Sequence, residues 1–245
     1  MKRLSFLLMI TVGAFAHTAP PAPAKKAAPA PAKKEEPTPD RPPGLYWIIN
    51  TSMGTITAQL FEKEAPGTVA NFVALTRGTK AAKDKTGAMT KRPYFTNLTF
   101  HRVIANFMIQ TGDGQTGDGS GDCGFTIKDE IVPTLKYDKP GMLGLARLER
   151  RNSGACQFFI TDAAYPSLTG EYTLFGQVVD GQDVVGKISH VAKDSNDKPR
   201  TAVKLISATI KRYGPPPAAP AAPAKKAAGT TTAAPKKAPA TPAKQ

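Results

Sequence analysis

The chain is predicted to be mostly β: a closed eight-stranded antiparallel β-barrel capped by two α-helices. Three observations predict it. Between Gly44 and Tyr213, about eight short runs rich in β-branched and aromatic residues are separated mainly by glycine-bearing turns. Only two segments of that span repeat apolar residues at helical spacing. The runs 100–104, 107–110 and 157–160 alternate large apolar residues with a polar residue of high hydrogen-bonding capacity, the period of a half-buried strand.

In chain order, Tyr46 to Thr51 and Thr55 to Phe61 flank a Ser52-Met53-Gly54 turn and read as a hairpin. Ala65 to Arg77 is a helix, with Pro66 at its start, Gly78 after its end, and Val69, Phe72, Val73 and Thr76 on one face. Residues 79–94, rich in Lys, read as a loop or insertion of low order. Strands are then expected over 98–104, 107–111, 124–128, 141–146, 157–161 and 173–178. A second helix covers Asp183 to Val191, with Val184, Val185 and Ile188 on one face, and Val203 to Ile210 is the closing strand. Side chains fill the interior of a barrel this small, so any site is expected on its outer surface. The lone Trp47 is expected in the core.

The flanks are of another kind. Met1-Lys2-Arg3, an apolar run from Leu4 and the small-x-small Ala14-Phe15-Ala16 read as an export signal over 1–16. The run is short of the roughly 20 residues that span a bilayer. No Cys follows it, so a lipoprotein anchor is not expected, and no later segment reads as transmembrane. Residues 17–43 and 214–245 are dominated by Ala, Pro, Lys and Thr, with recurring Lys-Lys pairs. They hold about half of the formal charge of +14. Such segments bury too little apolar surface to offset their ordering entropy, so a disordered linker and tail are expected around a folded domain at 44–213. They are either tethers to an anionic cell wall or membrane surface, or solvated spacers. The export signal argues against nucleic acid as a partner. The sequence points to a monomer in the periplasm or secreted.

The alternation carries the chemistry. In strands, Arg102, Gln110 and Gln157 can converge with Phe107, Met108 and Phe159 into an apolar pocket edged by one guanidinium and two amides. Such a pocket suits a proline ring beside a peptide bond better than it suits hydrolysis. Rotation about that bond breaks nothing covalent, and its barrier of about 18–20 kcal/mol comes from amide resonance. A donor aimed at the amide nitrogen helps only as the amide twists, so it favours the transition state over the ground state. Arg102 suits that role because a guanidinium is a permanent planar cation. No base, nucleophile, metal or cofactor is required.

The segments Phe100-His101-Arg102-Val103-Ile104, Phe107-Met108-Ile109-Gln110 and Gln157-Phe158-Phe159-Ile160 resemble the cyclophilin family of peptidyl-prolyl cis-trans isomerases, over roughly residues 45–212. The resemblance implies that Arg102 and Gln110 are catalytic, with Gln110 beside the substrate carbonyl. It places Phe107, Met108, Phe159 and Leu168 in a proline pocket, Gln157 beside it, and Tyr172 where many members have His. At Ala146-Arg147 the backbone is expected to pair with an extended substrate. Arg147 replaces the more usual Asn, and its charge either favours acidic residues near the proline or is solvated. A Trp common near the Leu168 position is missing, which puts cyclosporin binding in doubt. In the family the glycine-rich loop 112–124 abuts the segment before Gln157. Cys123 and Cys156 are therefore expected as one disulfide, with two free thiols or a nucleophilic Cys156 as the alternatives. His101, the one available base for such a nucleophile, alternates away from Arg102. The aspartates of the loop do not have calcium-loop spacing, and it reads as structural.

The expected function is prolyl isomerisation assisting the folding of exported proteins, with unfolded or partly folded proline-containing polypeptides as substrates. A non-catalytic module that holds such segments is the alternative.

Overall fold

A computed structural model describes residues 41–215. The expected export signal, most of the linker and most of the tail lie outside the described residues. Eleven strands and two helices occur in the order β1 (Gly44–Thr51), β2 (Gly54–Leu60), α1 (Pro66–Arg77), β3 (Ala82–Lys83), β4 (Met89–Thr90), β5 (Leu98–Thr99), β6 (Arg102–Ile104), β7 (Met108–Thr111), β8 (Met142–Leu145), β9 (Phe158–Thr161), β10 (Leu174–Asp180), α2 (Gln182–Ser189) and β11 (Lys204–Tyr213). A single 3-10 turn covers Pro166–Leu168.

Nine strands form one antiparallel sheet in the order β5-β11-β1-β2-β10-β8-β9-β7-β6. The first and last strands pair along their whole length, Gly44 opposite Tyr213. Register shifts at Asn50/Thr51, Leu174/Gly176 and Val178/Asp180 bend the strands and help the sheet curl. Its end strands, β5 and β6, are separated in the chain only by Phe100 and His101. The sheet therefore comes round on itself through the chain, and Thr111 Oγ1 donates to Thr99 O at 2.8 Å across the seam. The main sheet has nine strands: the single run expected over 98–104 breaks into β5 and β6, and the run expected over 124–128 does not join it.

Two further expectations change. Residues 124–128 form no strand. Gly124 takes a left-handed φ of 85°, and Ile127 N bonds only singly, to Gly154 O. The 79–94 segment is an ordered ribbon, with β3 paired to β4 around a turn that the Asp84 carboxylate holds through Thr86 N and Oγ1.

The β1–β2 turn needs Gly54, whose φ is 135° and where a Cβ would sit 2.7 Å from Val184 of α2. Helix α1 has no side-chain cap of its own. Its first free N–H groups, Gly67 and Thr68, are taken by Glu130 at 2.9 and 2.7 Å, and an anion there also complements the helix dipole. Inside the barrel, Phe72 of α1 stacks on Phe95 and Phe175 and meets Trp47 and Phe158 edge-on. Trp47 is fully buried there. On α2, Val184, Val185 and Ile188 are buried, as read from the sequence, although the helix ends at Ser189. No helix among the described residues is long and apolar enough to cross a membrane.

A second, smaller apolar cluster sits on the other face of the sheet: Met108, Tyr137, Met142, Phe159, Leu168 and Leu174, flanked by Phe107, Ala146 and Tyr172. Strand alternation makes the division. Val103, Ile109, Leu143, Leu145, Phe158 and Ile160 face the interior, while their neighbours Met108, Met142 and Phe159 face outward.

Candidate active site

One row of residues across four neighbouring strands builds the site. Arg102 of β6 is opposite Gln110 of β7, Gln110 opposite Phe159 of β9, and Phe159 opposite Gly144 of β8. Cross-strand partners on one face lie about 4.5–5.5 Å apart. The absent side chain of Gly144 matters, because a Cβ there would sit 2.0 Å from Phe159 Cζ. The Phe159 ring lies over that strand and forms a floor. Phe107 and Met108 enter from the β6–β7 turn and its exit, and Leu168 and Tyr172 from the segment between β9 and β10.

These side chains enclose a cavity of about 120 Å3, lined by Arg102, Phe107, Met108, Gln110, Ala146, Arg147, Phe159, Leu168 and Tyr172. It is well below the ~300–1,000 Å3 typical of drug-sized pockets, and the scale suits one small ring. A larger cavity of about 430 Å3, between the β3–β4 ribbon and Tyr94, contains none of these residues.

Arg102 is half-exposed at the cavity edge, with Asp197 Oδ2 3.6 Å from its Nε. That contact is long and partly solvated, so it orients the guanidinium without sequestering it. Gln110 Nε2 donates to Gln157 Oε1 at 3.1 Å, and Gln157 Nε2 donates to Gly119 O and Gly121 O at 2.9 and 3.0 Å. Gln157 therefore does not line the cavity. It stands behind Gln110 and ties it to the glycine-rich loop.

Asp113 holds that loop, accepting from the backbone N–H groups of Gln115, Thr116, Gly119 and Gly121 and from Thr116 Oγ1. Burial pushes its carboxyl up, but these hydrogen bonds outweigh burial and hold it at about 2. Tyr94 braces the loop from beneath: its hydroxyl accepts from Gly114 N at 3.0 Å and lies 3.2 Å from Gly112 O and 3.4 Å from Cys156 Sγ. Sequence reading assigned no role to Tyr94 or Asp197. The contacts that give them these roles, Tyr94 with the loop and Cys156 and Asp197 with Arg102, join residues 18 to 95 positions apart, although Asp197 also accepts from its near neighbour Lys193 at 2.6 Å.

Arg147 departs from both roles considered for it. It lines the cavity, yet its side chain is only 7% exposed. Its guanidinium donates to the carbonyls of Leu148, Glu149 and Glu171, so it is neither a solvated cation nor a free one. Tyr165, near the place of the missing Trp, packs on Phe107 with ring centroids 4.3 Å apart.

The expected Cys123–Cys156 bridge is not formed. Both residues are buried free thiols. They are neighbours, and their mutual hydrogen bond, then burial, push the Cys156 thiol well above its usual range. Tyr94 is the other partner of Cys156, and no base adjoins it. A thiol held protonated this way is a poor nucleophile. His101 is buried behind Arg102, packed against Gly119, and burial lowers its pKa.

Comparison with known proteins agrees with this geometry. Residues 46–210 match the family model described as cyclophilin type peptidyl-prolyl cis-trans isomerase. The chain is similar to peptidyl-prolyl cis-trans isomerase A of Mycobacterium tuberculosis, 43% identical over 166 residues that cover 66% of this chain and 90% of that protein. It is also similar to peptidyl-prolyl cis-trans isomerase-like 1 of Aspergillus niger, 40% identical over 164 residues, 66% of this chain and 91% of that one. Among solved structures, a cyclophilin-type isomerase of Cryptosporidium parvum, crystallised in the presence of the dipeptide Ala-Pro, superposes with a TM-score of 0.60 at 32% identity. The match covers 69% of this chain and 99% of the other.

Proposed function

The chain belongs to the cyclophilin-type peptidyl-prolyl cis-trans isomerase family, and we propose that it isomerises prolyl bonds by Arg102-stabilised twisting of the amide over the pocket floored by Phe159. One observation supports this most: the cross-strand row that sets a guanidinium, an amide and an aromatic floor beside a cavity of about 120 Å3. The proline ring enters that cavity. Arg102 donates toward the amide nitrogen as its lone pair leaves conjugation, an interaction made only in the twisted state. Gln110, already giving one N–H to Gln157, keeps its second N–H to donate to the substrate carbonyl. The backbone at Ala146 and Arg147 runs along the groove for strand-like pairing with the substrate. The neighbour crystallised with Ala-Pro supports proline-containing peptides as ligands.

The clients are unfolded or partly folded exported polypeptides, and the enzyme acts in the periplasm or as a secreted protein. Support for this is the basic-apolar-small pattern of residues 1–16. The Lys-rich flanks extend the reach of the domain toward anionic surfaces.

Two measurements test the proposal. The full chain is assayed on an Ala-Pro peptide with a trans-specific protease, and on refolding of a protein limited by proline isomerisation. Acceleration of both is expected, and peptide binding without acceleration would leave only a holding module. Amino-terminal sequencing of the protein recovered outside the cytoplasm is expected to begin after Ala16. Retention of the full chain in the cytoplasm would remove the export assignment.

A further inference from the structure

We propose that Arg147 is a positioning residue for isomerisation: its guanidinium, clamped by main-chain carbonyls, holds the Tyr172 ring against Phe159 as the far wall of the proline pocket. The inference rests on the proline-pocket reading above. The Arg147 guanidinium carbon lies 4.8 Å from the Tyr172 ring centroid. On its other side, Tyr172 meets Phe159 edge-on, with centroids 5.6 Å apart at 88°. The tyrosine is thus held between a cation and the pocket floor.

The clamp on the cation is tight. Arg147 Nη1 donates to Leu148 O at 2.8 Å and Glu149 O at 2.6 Å, and Nη2 donates to Glu171 O at 3.0 Å. The last bond joins the segment after β8 to the residue preceding Tyr172. Arg151 braces the same point, donating to Glu171 O, Glu171 Oε2 and Gly170 O. Charge is balanced locally, with Asp129 Oδ2 3.8 Å and Glu171 Oε2 3.5 Å from the guanidinium. A buried cation with both Nη groups on carbonyls and its face on an aromatic ring is spent on the protein. A planar fork can do this, and a point charge cannot meet three carbonyls in one plane. The position where a free cation would select acidic clients instead fixes pocket shape, so clients are accepted irrespective of charge beside the proline.

A double-mutant cycle with Arg147→Met, Tyr172→Ala and the pair, in the full chain, decides it. Arg147→Met is expected to lower kcat/KM about ten-fold, the scale of a desolvated cation–π contact, mainly by raising KM. In the Tyr172→Ala background the same change is expected to move kcat/KM by less than about two-fold, because the ring it positions is gone. A merely structural role would lower the active fraction and leave KM unmoved. If Arg147→Met does not fold, the cycle runs with Arg147→Lys, which keeps the charge and loses the fork. Two results overturn the inference alone: additive effects, or a loss confined to peptides with an acidic residue before proline. Unchanged kcat/KM in Tyr172→Ala would overturn the pocket reading itself.

Discussion

Gly144→Ala adds one methyl group to the strand that carries the Phe159 ring. The new Cβ would sit 2.0 Å from Phe159 Cζ and 2.5 Å from both Cε atoms, all well inside van der Waals contact. Gly144 has no left-handed φ, so the backbone accepts alanine and the whole effect comes from the ring. The ring cannot slide freely, since Tyr137 stacks on it and Tyr172 meets it edge-on. It must rise into the cavity, and overpacking of this kind costs about 1–3 kcal/mol. A displacement of even an ångström consumes much of a 120 Å3 cavity, so KM for a prolyl peptide is expected to rise about ten-fold or more. Chemical denaturation and the coupled isomerase assay read the two effects. Gly87→Ala, in the β3–β4 turn, is the control: Gly87 has a φ of 80° with only Gln115 Nε2, at 3.9 Å, near its would-be Cβ, so it costs about 1 kcal/mol of backbone strain and leaves KM alone. Phe159→Leu should relieve much of the Gly144→Ala penalty. Wild-type stability and KM in Gly144→Ala would refute the claim that Phe159 floors the site on this strand.

Other expectations concern titration and thiols. No carboxylate, thiol or imidazole lines the cavity, so the isomerase rate is expected to be flat from about pH 6 to 8. A bell-shaped profile there would implicate His101. Stability behaves differently. Burial depresses His101, so its contribution is complete above the ordinary imidazole range near 6.5 and is lost as pH falls through it. Asp113, held at about 2, contributes fully above about 4 and loses that contribution as pH falls toward 2. Denaturant midpoints measured from pH 7 to 2 should decline in those two windows, and Asp113→Asn should make the lower decline shallower, since Asp118 and other hydrogen-bonded aspartates share it. Alkylation of the unfolded protein without reductant is expected to label both Cys123 and Cys156. An unlabelled, bridged pair would contradict the free thiols of the structure.

Much of the site was legible because it depends on period two. Arg102, Gln110 and Phe159 alternate with buried Val103, Ile109 and Ile160, so their shared face followed from the residues themselves. Leu168 and Tyr172, which belong to no strand, were reachable only through the family resemblance. Gln157 flanks the interior-facing Phe158, as the alternation requires, but its amide is taken by two loop carbonyls. Only the folded loop reveals that. The roles of Asp197 beside Arg102, Glu130 at the start of α1 and Tyr94 under the loop all rest on contacts between residues distant in the chain. The strand expected at 124–128 failed because the left-handed φ of Gly124 turns the chain away from any ladder. The ribbon at 82–90 has no apolar pattern in the sequence, because a carboxylate turn at Asp84 makes it.

The central claim is that one guanidinium supplies the transition-state interaction, and kcat/KM of Arg102→Ala tests it most directly. Its side chain is 44% exposed and its only acidic partner among the described residues is a partly solvated carboxylate at 3.6 Å, so stability should change by less than about 1 kcal/mol. Catalysis should fall by roughly 10²–10³-fold, the scale for removing one donor that acts only in the transition state. Arg102→Lys should fail to restore it, since an ammonium lacks the planar fork. A folded Arg102→Ala enzyme that isomerises prolyl peptides at the wild-type rate would contradict the account.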